Sequence, residues 1–326
     1  MRYCVLAIAL AALLALAAAC KSDSPSPLVR PSPTVAAFGF DCQTAAEAKP
    51  VEADAFPVEV TDSVGNTVSL EEPPQRIASL SAGHTEVLYA IGAGDQVAAV
   101  DNTSDCPNAV SDLPKVDAFT PSVEQIAALT PDLVVIFFDP GDLQSSLQGL
   151  GIPVLNLAAP ESVEGVYDQM ALLGEATGHS ADAEGVAGAM KEAVADVLSQ
   201  VQDAAEAPAV FHEVDNLYFS AGSGTFIGDL YAMLGAENIA DATGQAYPQL
   251  SAEAIIQADP GVIVLADEDA GETPETVKAR PGWESIAAVK NGRVYVVDPD
   301  IISRPGPRLV EALRTLAGYL YPELVP

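Results

Sequence analysis

The chain is poor in the residues that most protein chemistry draws on. Its 326 residues include three histidines, four cysteines, one tryptophan and 14 lysines plus arginines, against 46 aspartates plus glutamates, for a net charge of −32. So few cations leave no basic footprint for a phosphate backbone, which excludes nucleic acid as a partner. The cysteines form no C-x-x-C pair and the histidines no H-E-x-x-H pattern, so neither a thiolate metal site nor a zinc-hydrolase helix is encoded locally. G-x-S-x-G, G-x-x-x-x-G-K-[ST] and G-x-G-x-x-G after a first strand are also missing. No enzyme and no catalytic cofactor is therefore expected. Beyond Cys20 no apolar run approaches the roughly 20 residues a membrane span needs. LVVIFF and VIVLA are short and strand-like.

What is present begins at the N-terminus. Residues 5–19, VLAIALAALLALAAA, form a short apolar run ending at Cys20, and SDSPSPLVRPSPT follows. This reads as a signal segment over 1–19 with a lipobox-like end. Cys20 then becomes the lipidated N-terminus, holding the protein on the extracytoplasmic face of the cell membrane, and residues 20–55 form a flexible tether and arm. Ordinary secretion and a membrane anchor are the alternatives, and the run is short for the latter. Outside the cytoplasm the two remaining cysteines, Cys42 and Cys106, often pair; two isolated thiols are the alternative. The negative field disfavours free anions as ligands unless the few arginines line the site.

Folded chain is expected from Phe56. FPVEVTDSVGNTVSLEEPP alternates on both sides of Gly65-Asn66 and reads as a hairpin. RIASL is a buried strand, followed by a helix stopped at Gly92 and Gly94. LVVIFF is a two-sided strand that follows a helix capped at Ser122 and ended by Pro131. This alternation continues through a first lobe over 56–179. Residues 180–207 are alanine-rich and uninterrupted, and read as a helix that joins two lobes as a stiff strut. The βα pattern restarts over 208–326. The segments 122–135 and 251–264 share S-x-E-x-I-x-x-x-x-P. The expected fold is α/β: two Rossmann-like lobes, each a mostly parallel sheet flanked by helices, joined by a long rigid helix, with a ligand cleft between them.

The order of PPQRIASLSAGHTEVLYAIGAGDQVAAV, PSVEQIAALTPDLVV, LGIPVLNL, GAENIA, AEAIIQADPGVIVL and RPGWESIAAVKNGRVYVVD resembles the substrate-binding proteins of ABC importers that have a rigid helical backbone between lobes. That group takes up cobalamin, iron-siderophores, haem and some metal ions. RIASLSAGHTE, DNTSDCP, VDAFTPSVEQI and SRPGPRLVEAL resemble its cobalamin-binding branch most. The resemblance implies a monomeric receptor for cobalamin or a related corrinoid, with a ferric siderophore or haem as the alternative ligand. It also implies an ABC permease and its cytoplasmic ATPase as partners. The chain departs from the branch in its aromatics. It offers Trp283 alone among tryptophans, Phe119, Phe137 and Phe138 in the matching loops, and Cys106 where a tyrosine would fit.

Ligand contacts fall to loops at the C-terminal ends of strands. In the first lobe these are Ser81, Gly83 and His84, then Asn102 and Asp105, then Phe119, Phe137 and Phe138. His84 either lies at a helix start without a ligand or bonds the ligand as a neutral imidazole. In the second lobe they are His212 and Asn216, Gly222 and Ser223 before a helix start, and Tyr247. The amides of Gly222 and Ser223 suit an anionic group or form a plain tight turn. Arg304 is expected to bind ligand oxygens and Arg308 to be structural. A metal site from His84, His212 and a carboxylate lacks any close-set pair, so none is expected. The resemblance assigns permease docking to Asp142 and to Glu272 or Glu275; solvated surface charge is the alternative.

Overall fold

The computed structural model describes residues 38–44, 47–204 and 208–325. The signal run and Cys20 lie outside the described residues. Strands β1 (Val58–Thr61) and β2 (Thr67–Leu70) form an antiparallel hairpin. Its turn is closed by Asp62, whose carboxylate accepts the N–H groups of Val64 (3.1 Å) and Asn66 (2.7 Å). The first lobe is built on β3 (Ile77–Leu80), β4 (Val97–Asp101), β5 (Lys115–Val116), β6 (Leu133–Ile136) and β7 (Val154–Asn156). These pair in the parallel order β5-β4-β3-β6-β7. The second lobe holds β8 (Ala209–Glu213), β9 (Glu237–Asn238), β10 (Val262–Leu265) and β11 (Val294–Val296), parallel in the order β11-β10-β8-β9. The expected two-lobe α/β fold is the one observed.

The sequence repeat is a structural repeat. Ser122 and Ser251 cap the helices Val123–Ala128 and Ala252–Ala258, each hydroxyl accepting an N–H three residues on at 3.1 Å. The strands that follow, β6 and β10, each flank the first strand of their sheet, β3 and β8.

Alternation along these strands explains how the lobes share a core. In β6, Leu133 and Val135 face one cluster and Val134 and Ile136 another. In β10, Val262 and Val264 join the same cluster as Leu133, whereas Ile263 and Leu265 face a third. Each sheet thus has a private outer core, and both inner faces meet one continuous core. The helices Val163–Thr177, Ser180–Val201 and Leu309–Leu320 also line it, with Met170, Val194 and Leu313.

The connection between lobes is broader than one strut. The helices Val163–Thr177 and Ser180–Val201 run antiparallel: Gly174 abuts Ala183, and Lys191 pairs with Glu164 at 3.0 Å. Gly178 turns the chain between them with φ 76°, and a Cβ there would stand 2.8 Å from Val51 Cγ1.

The packed chain also starts before Phe56. Phe38 and Phe40 rest on the shared core. A disulfide joins Cys42 to Cys106, and the Asn108 N–H donates to the Cys42 carbonyl at 2.7 Å. The Lys49 N–H donates to the Gly92 carbonyl (3.1 Å) and its ammonium to Asp182 (3.0 Å).

A buried ion cluster crosses from the first lobe to the C-terminal segment. Glu86, on the helix Ala82–Ala90, is 0% exposed. It accepts from Arg308 Nε (2.9 Å) and Nη2 (2.7 Å) and from Arg304 Nη1 (3.3 Å). Burial raises the Glu86 carboxyl above its usual range, with Arg308 and then Arg304 pulling the other way. Backbone meets backbone beside it: a Cβ on Gly83 would stand 2.9 Å from the Pro305 carbonyl oxygen.

Two outcomes follow. Glu86→Gln strands buried guanidinium charge and should cost about 3 kcal/mol, read as a lower urea midpoint at unchanged slope; an unaltered midpoint contradicts the clamp. The disulfide spans 64 residues. Cys42→Ser/Cys106→Ser should fold but melt roughly 10 °C lower on a chain-entropy estimate, and an unchanged Tm would refute that contribution.

Candidate ligand-binding site

The carboxyl ends of β3, β4 and β6 and the segment Ser303–Pro305 enclose a cavity of about 210 Å³. The fold brings Ser81, Gly83, His84, Phe119, Phe137 and Arg304 together in its wall. Ser81 caps the helix Ala82–Ala90, accepting the His84 N–H at 3.5 Å, which sets His84 in the first turn. Gly83 is the point where that helix meets Pro305.

The three phenylalanines form one patch. Phe119 is 64% exposed, although its N–H is fixed by the Asp117 carboxylate at 2.9 Å. Its ring centroid lies 5.5 Å from Phe138 and 6.1 Å from Phe137, which are themselves 4.4 Å apart in an edge contact. Such edge and tilted pairs hold a stiff apolar surface.

His84 is buried, and its Nε2 lies 3.0 Å from Gln169 Oε1. The Gln169 amide donates to the Ala158 carbonyl at 2.6 Å, so Oε1 is the acceptor that faces the ring. The hydrogen-bond network therefore assigns the proton to Nε2 and leaves Nδ1, which has no partner among the described residues, as a lone pair. Burial lowers the imidazole pKa, opposed by the Gln169 bond, and keeps the ring neutral.

Arg304 reaches the cavity wall with its charge already matched. Nη1 donates to Asp105 at 2.6 Å and to Glu86, and Nη2 donates to the Thr103 carbonyl (2.9 Å) and lies 2.6 Å from Asp300. Arg304 and Arg308 thus stand against Glu86, Asp105 and Asp300. Asn102 is exposed near them, its N–H bonded to the Val116 carbonyl.

On the second lobe the loop after β8 and the loop before the helix Ala252–Ala258 lie side by side: Leu250 N–H donates to the Tyr218 carbonyl at 3.0 Å. They leave Asn216 exposed, with Leu217 59% and Tyr247 56% exposed.

Two expectations are corrected. His212 is fully buried, with Nδ1 2.8 Å from the Tyr231 hydroxyl, and burial lowers its pKa to about 4. It is a core residue, which also rules out its pairing with His84 on a metal. The Ser223 N–H is taken by Asp241 at 2.6 Å and the Gly222 N–H by the Ala246 carbonyl, so neither of these two amides is left for an anion. Of the docking candidates, Glu272 is half-buried and held by Arg280 at 2.7 Å and by the Thr276 hydroxyl at 2.7 Å, whereas Glu275 and Asp142 are exposed. Among the described residues no group of three or more His, Cys, Asp or Glu could hold a metal ion.

Sequence reasoning missed a second charged cluster at the carboxyl edge of the second sheet. Arg280 donates to Glu213 (2.6 Å) and Glu272 (2.7 Å) and lies over the rings of Trp283 (4.5 Å) and Tyr218 (5.1 Å). Asp267, 5% exposed, lies against the Glu213 carboxylate, and among the described residues no N–H or hydroxyl donates to either of its oxygens. Burial, then the charges of Glu213 and Glu272, push it up to about 7. The available signal was the scarcity of arginine in so acidic a chain.

Comparison with known proteins identifies the family. Residues 77–301 match the periplasmic binding protein family. The chain is 34% identical over 279 residues to an uncharacterised ABC transporter substrate-binding lipoprotein of Bacillus subtilis, YvrC, covering 83% of this chain and 87% of that protein. It is 30% identical over 277 residues to a cobalamin-binding protein of Halobacterium salinarum, covering 81% and 74% respectively. A possible iron-binding, periplasmic solute-binding protein of Staphylococcus epidermidis superposes with a TM-score of 0.70 at 29% identity, covering 77% of this chain and 100% of that one. With its two lobes, helical backbone and cleft, this chain belongs to the periplasmic binding protein family.

Proposed function

We propose that this protein is the extracytoplasmic solute receptor of an ABC importer, anchored through Cys20, and that its cleft takes a corrinoid. The observation that carries the ligand is the charge balance at the cleft. Arg304, the arginine in the cavity wall, is spent on Glu86, Asp105 and Asp300. Arg280, at the edge of the second sheet, is spent on Glu213 and Glu272. Neither guanidinium is left for a propionate or a siderophore carboxylate. A corrin fringed with neutral amides suits this setting, since its N–H groups can donate to carboxylates and its faces can lie on phenylalanine. About 210 Å³ is too small to enclose a macrocycle. The ring would therefore lie across the mouth against exposed Phe119, with Leu217 and Tyr247 as the second-lobe contacts and a peripheral arm in the cavity. The Halobacterium relative, named as a cobalamin-binding protein, supports the same reading.

One observation favours haem as the second reading. The His84 ring is neutral and its Nδ1 has no hydrogen-bond partner among the described residues, which leaves a lone pair able to ligate iron once the wall around this buried atom opens. Asp142 and Glu275, exposed on different lobes, are the carboxylates we assign to the permease.

Titration of the purified protein by tryptophan fluorescence or calorimetry separates the ligands. Cyanocobalamin should bind with Kd below about 10 µM and haemin more weakly, and Phe119→Ala should weaken cobalamin about tenfold. Haemin binding tighter than cobalamin, lost in His84→Ala, would overturn the corrinoid reading.

A further inference from the structure

The wall of the cavity depends on a bond that lies outside it. Two of the acceptors around Arg304, the Asp105 carboxylate (2.6 Å) and the Thr103 carbonyl (2.9 Å), belong to the loop 102–114 between β4 and β5. The others are Glu86 and Asp300. The loop has a slight frame, because β5 is two residues long and lies at the edge of its sheet. The Asp105 side chain is 67% exposed, and an ion pair with one partner so exposed holds little by itself.

Different groups hold the two halves of the loop. Asp101 holds the first: its carboxylate accepts the Thr103 N–H (2.8 Å) and the hydroxyls of Thr103 and Ser104, and the Lys115 ammonium donates to the Ser104 carbonyl. The N-terminal arm holds the second. Cys106, 3% exposed, is bonded to Cys42, while the Asn108 N–H donates to the Cys42 carbonyl at 2.7 Å and its side-chain amide to Gln43 at 3.0 Å. Asp105 stands where the halves meet, one residue before the disulfide.

The arm is itself seated on the segment that carries the arginines. Phe38 and Phe40 line one groove with Pro307, Arg308 and Val310, and both rest on the shared core. The chain thus closes a ring, from Arg304 through Asp105, the disulfide and the arm back to the C-terminal segment. A covalent link one residue from Asp105 keeps that carboxylate at high local concentration beside the guanidinium, which an exposed pair cannot do for itself. We propose that the Cys42–Cys106 bond is a positioning bond of the ligand site: by holding Asp105 and Thr103 on Arg304 it keeps the arginine of the cavity wall closed to anionic ligands. Its effect on ligand choice rests on the corrinoid reading above; its effect on Arg304 does not.

Arginine labelling of the whole folded protein by phenylglyoxal, well below its melting point and read by peptide mass spectrometry, tests the second effect without a ligand. Cys42→Ser/Cys106→Ser should raise the Arg304 labelling rate about fivefold by local opening. Arg280 is the control, as well covered as Arg304 (side chains 11% and 10% exposed) but in the second lobe, and its rate should not change. Asp105→Asn, with the disulfide intact, should also raise Arg304 labelling. In titrations the double variant should gain about threefold in affinity for haemin relative to cyanocobalamin. An Arg304 rate that does not change, or rises no more than that of Arg280, would show that the bond only stabilises the fold and would overturn the proposal. A haemin preference that stays fixed while Arg304 labelling rises would overturn its effect on ligand choice. Raised Arg304 labelling in a protein that binds no cyanocobalamin would remove the corrinoid reading and leave the positioning role standing.

Discussion

Glu86 is the carboxylate on which the arrangement of this protein turns. It lies in a helix whose residues Ala82 to Tyr89 are all buried, so it cannot be solvated and must be met by protein. Arg308 meets it with two hydrogen bonds and Arg304 with a third, both from the segment that leads into the C-terminal helix. Next to this contact Gly83 lets two backbones approach closer than any side chain would allow. The first lobe is thereby fixed to the far end of the chain at the mouth of the cavity. Behind the cleft the lobes share a single apolar core with the paired backbone helices. Ion cluster on one side and core on the other leave little freedom for one lobe to swing against the other.

That rigidity bears on recognition. A cleft held open in advance avoids part of the ordering cost of binding. It also places the exposed Phe119 in contact with Phe137 and Phe138 before any ligand arrives. The same clamp sets the electrostatics, because the arginine that reaches the cavity is neutralised in holding the lobes. Structure and selectivity are in this sense one arrangement: releasing Arg304 to bind an anion would mean leaving Glu86, Asp105 or Asp300 short of a partner.

Much of the architecture was legible in the sequence because it rests on local signals. LVVI and VIVL are strands apolar on both faces, and Ser122 and Ser251 are caps with acidic residues in the following turn. Gly65 and Gly178 stand where φ is positive. The candidate site was less legible, since its partners are far apart in the chain. Arg304 stands out as rare, but Glu86 lies 218 residues away, and nothing local says that the two meet. His212 was misplaced for a related reason. In a parallel sheet covered on both faces, alternation separates one core from another rather than core from solvent. The turn at Gly222 and Ser223 resembles an anion site until Asp241 is seen to fill it.

Recognition by a preformed cleft requires that the two lobes hold their spacing when the ligand binds. Spin labels at Glu124 and Glu253, exposed positions in the equivalent helices of the two lobes, report the distance across the molecule by pulsed electron resonance. Free and cobalamin-saturated protein should give distributions whose means differ by no more than about 2 Å. A shift of about 10 Å or more would mean that the lobes close by a hinge and that neither the Glu86 cluster nor the shared core holds them.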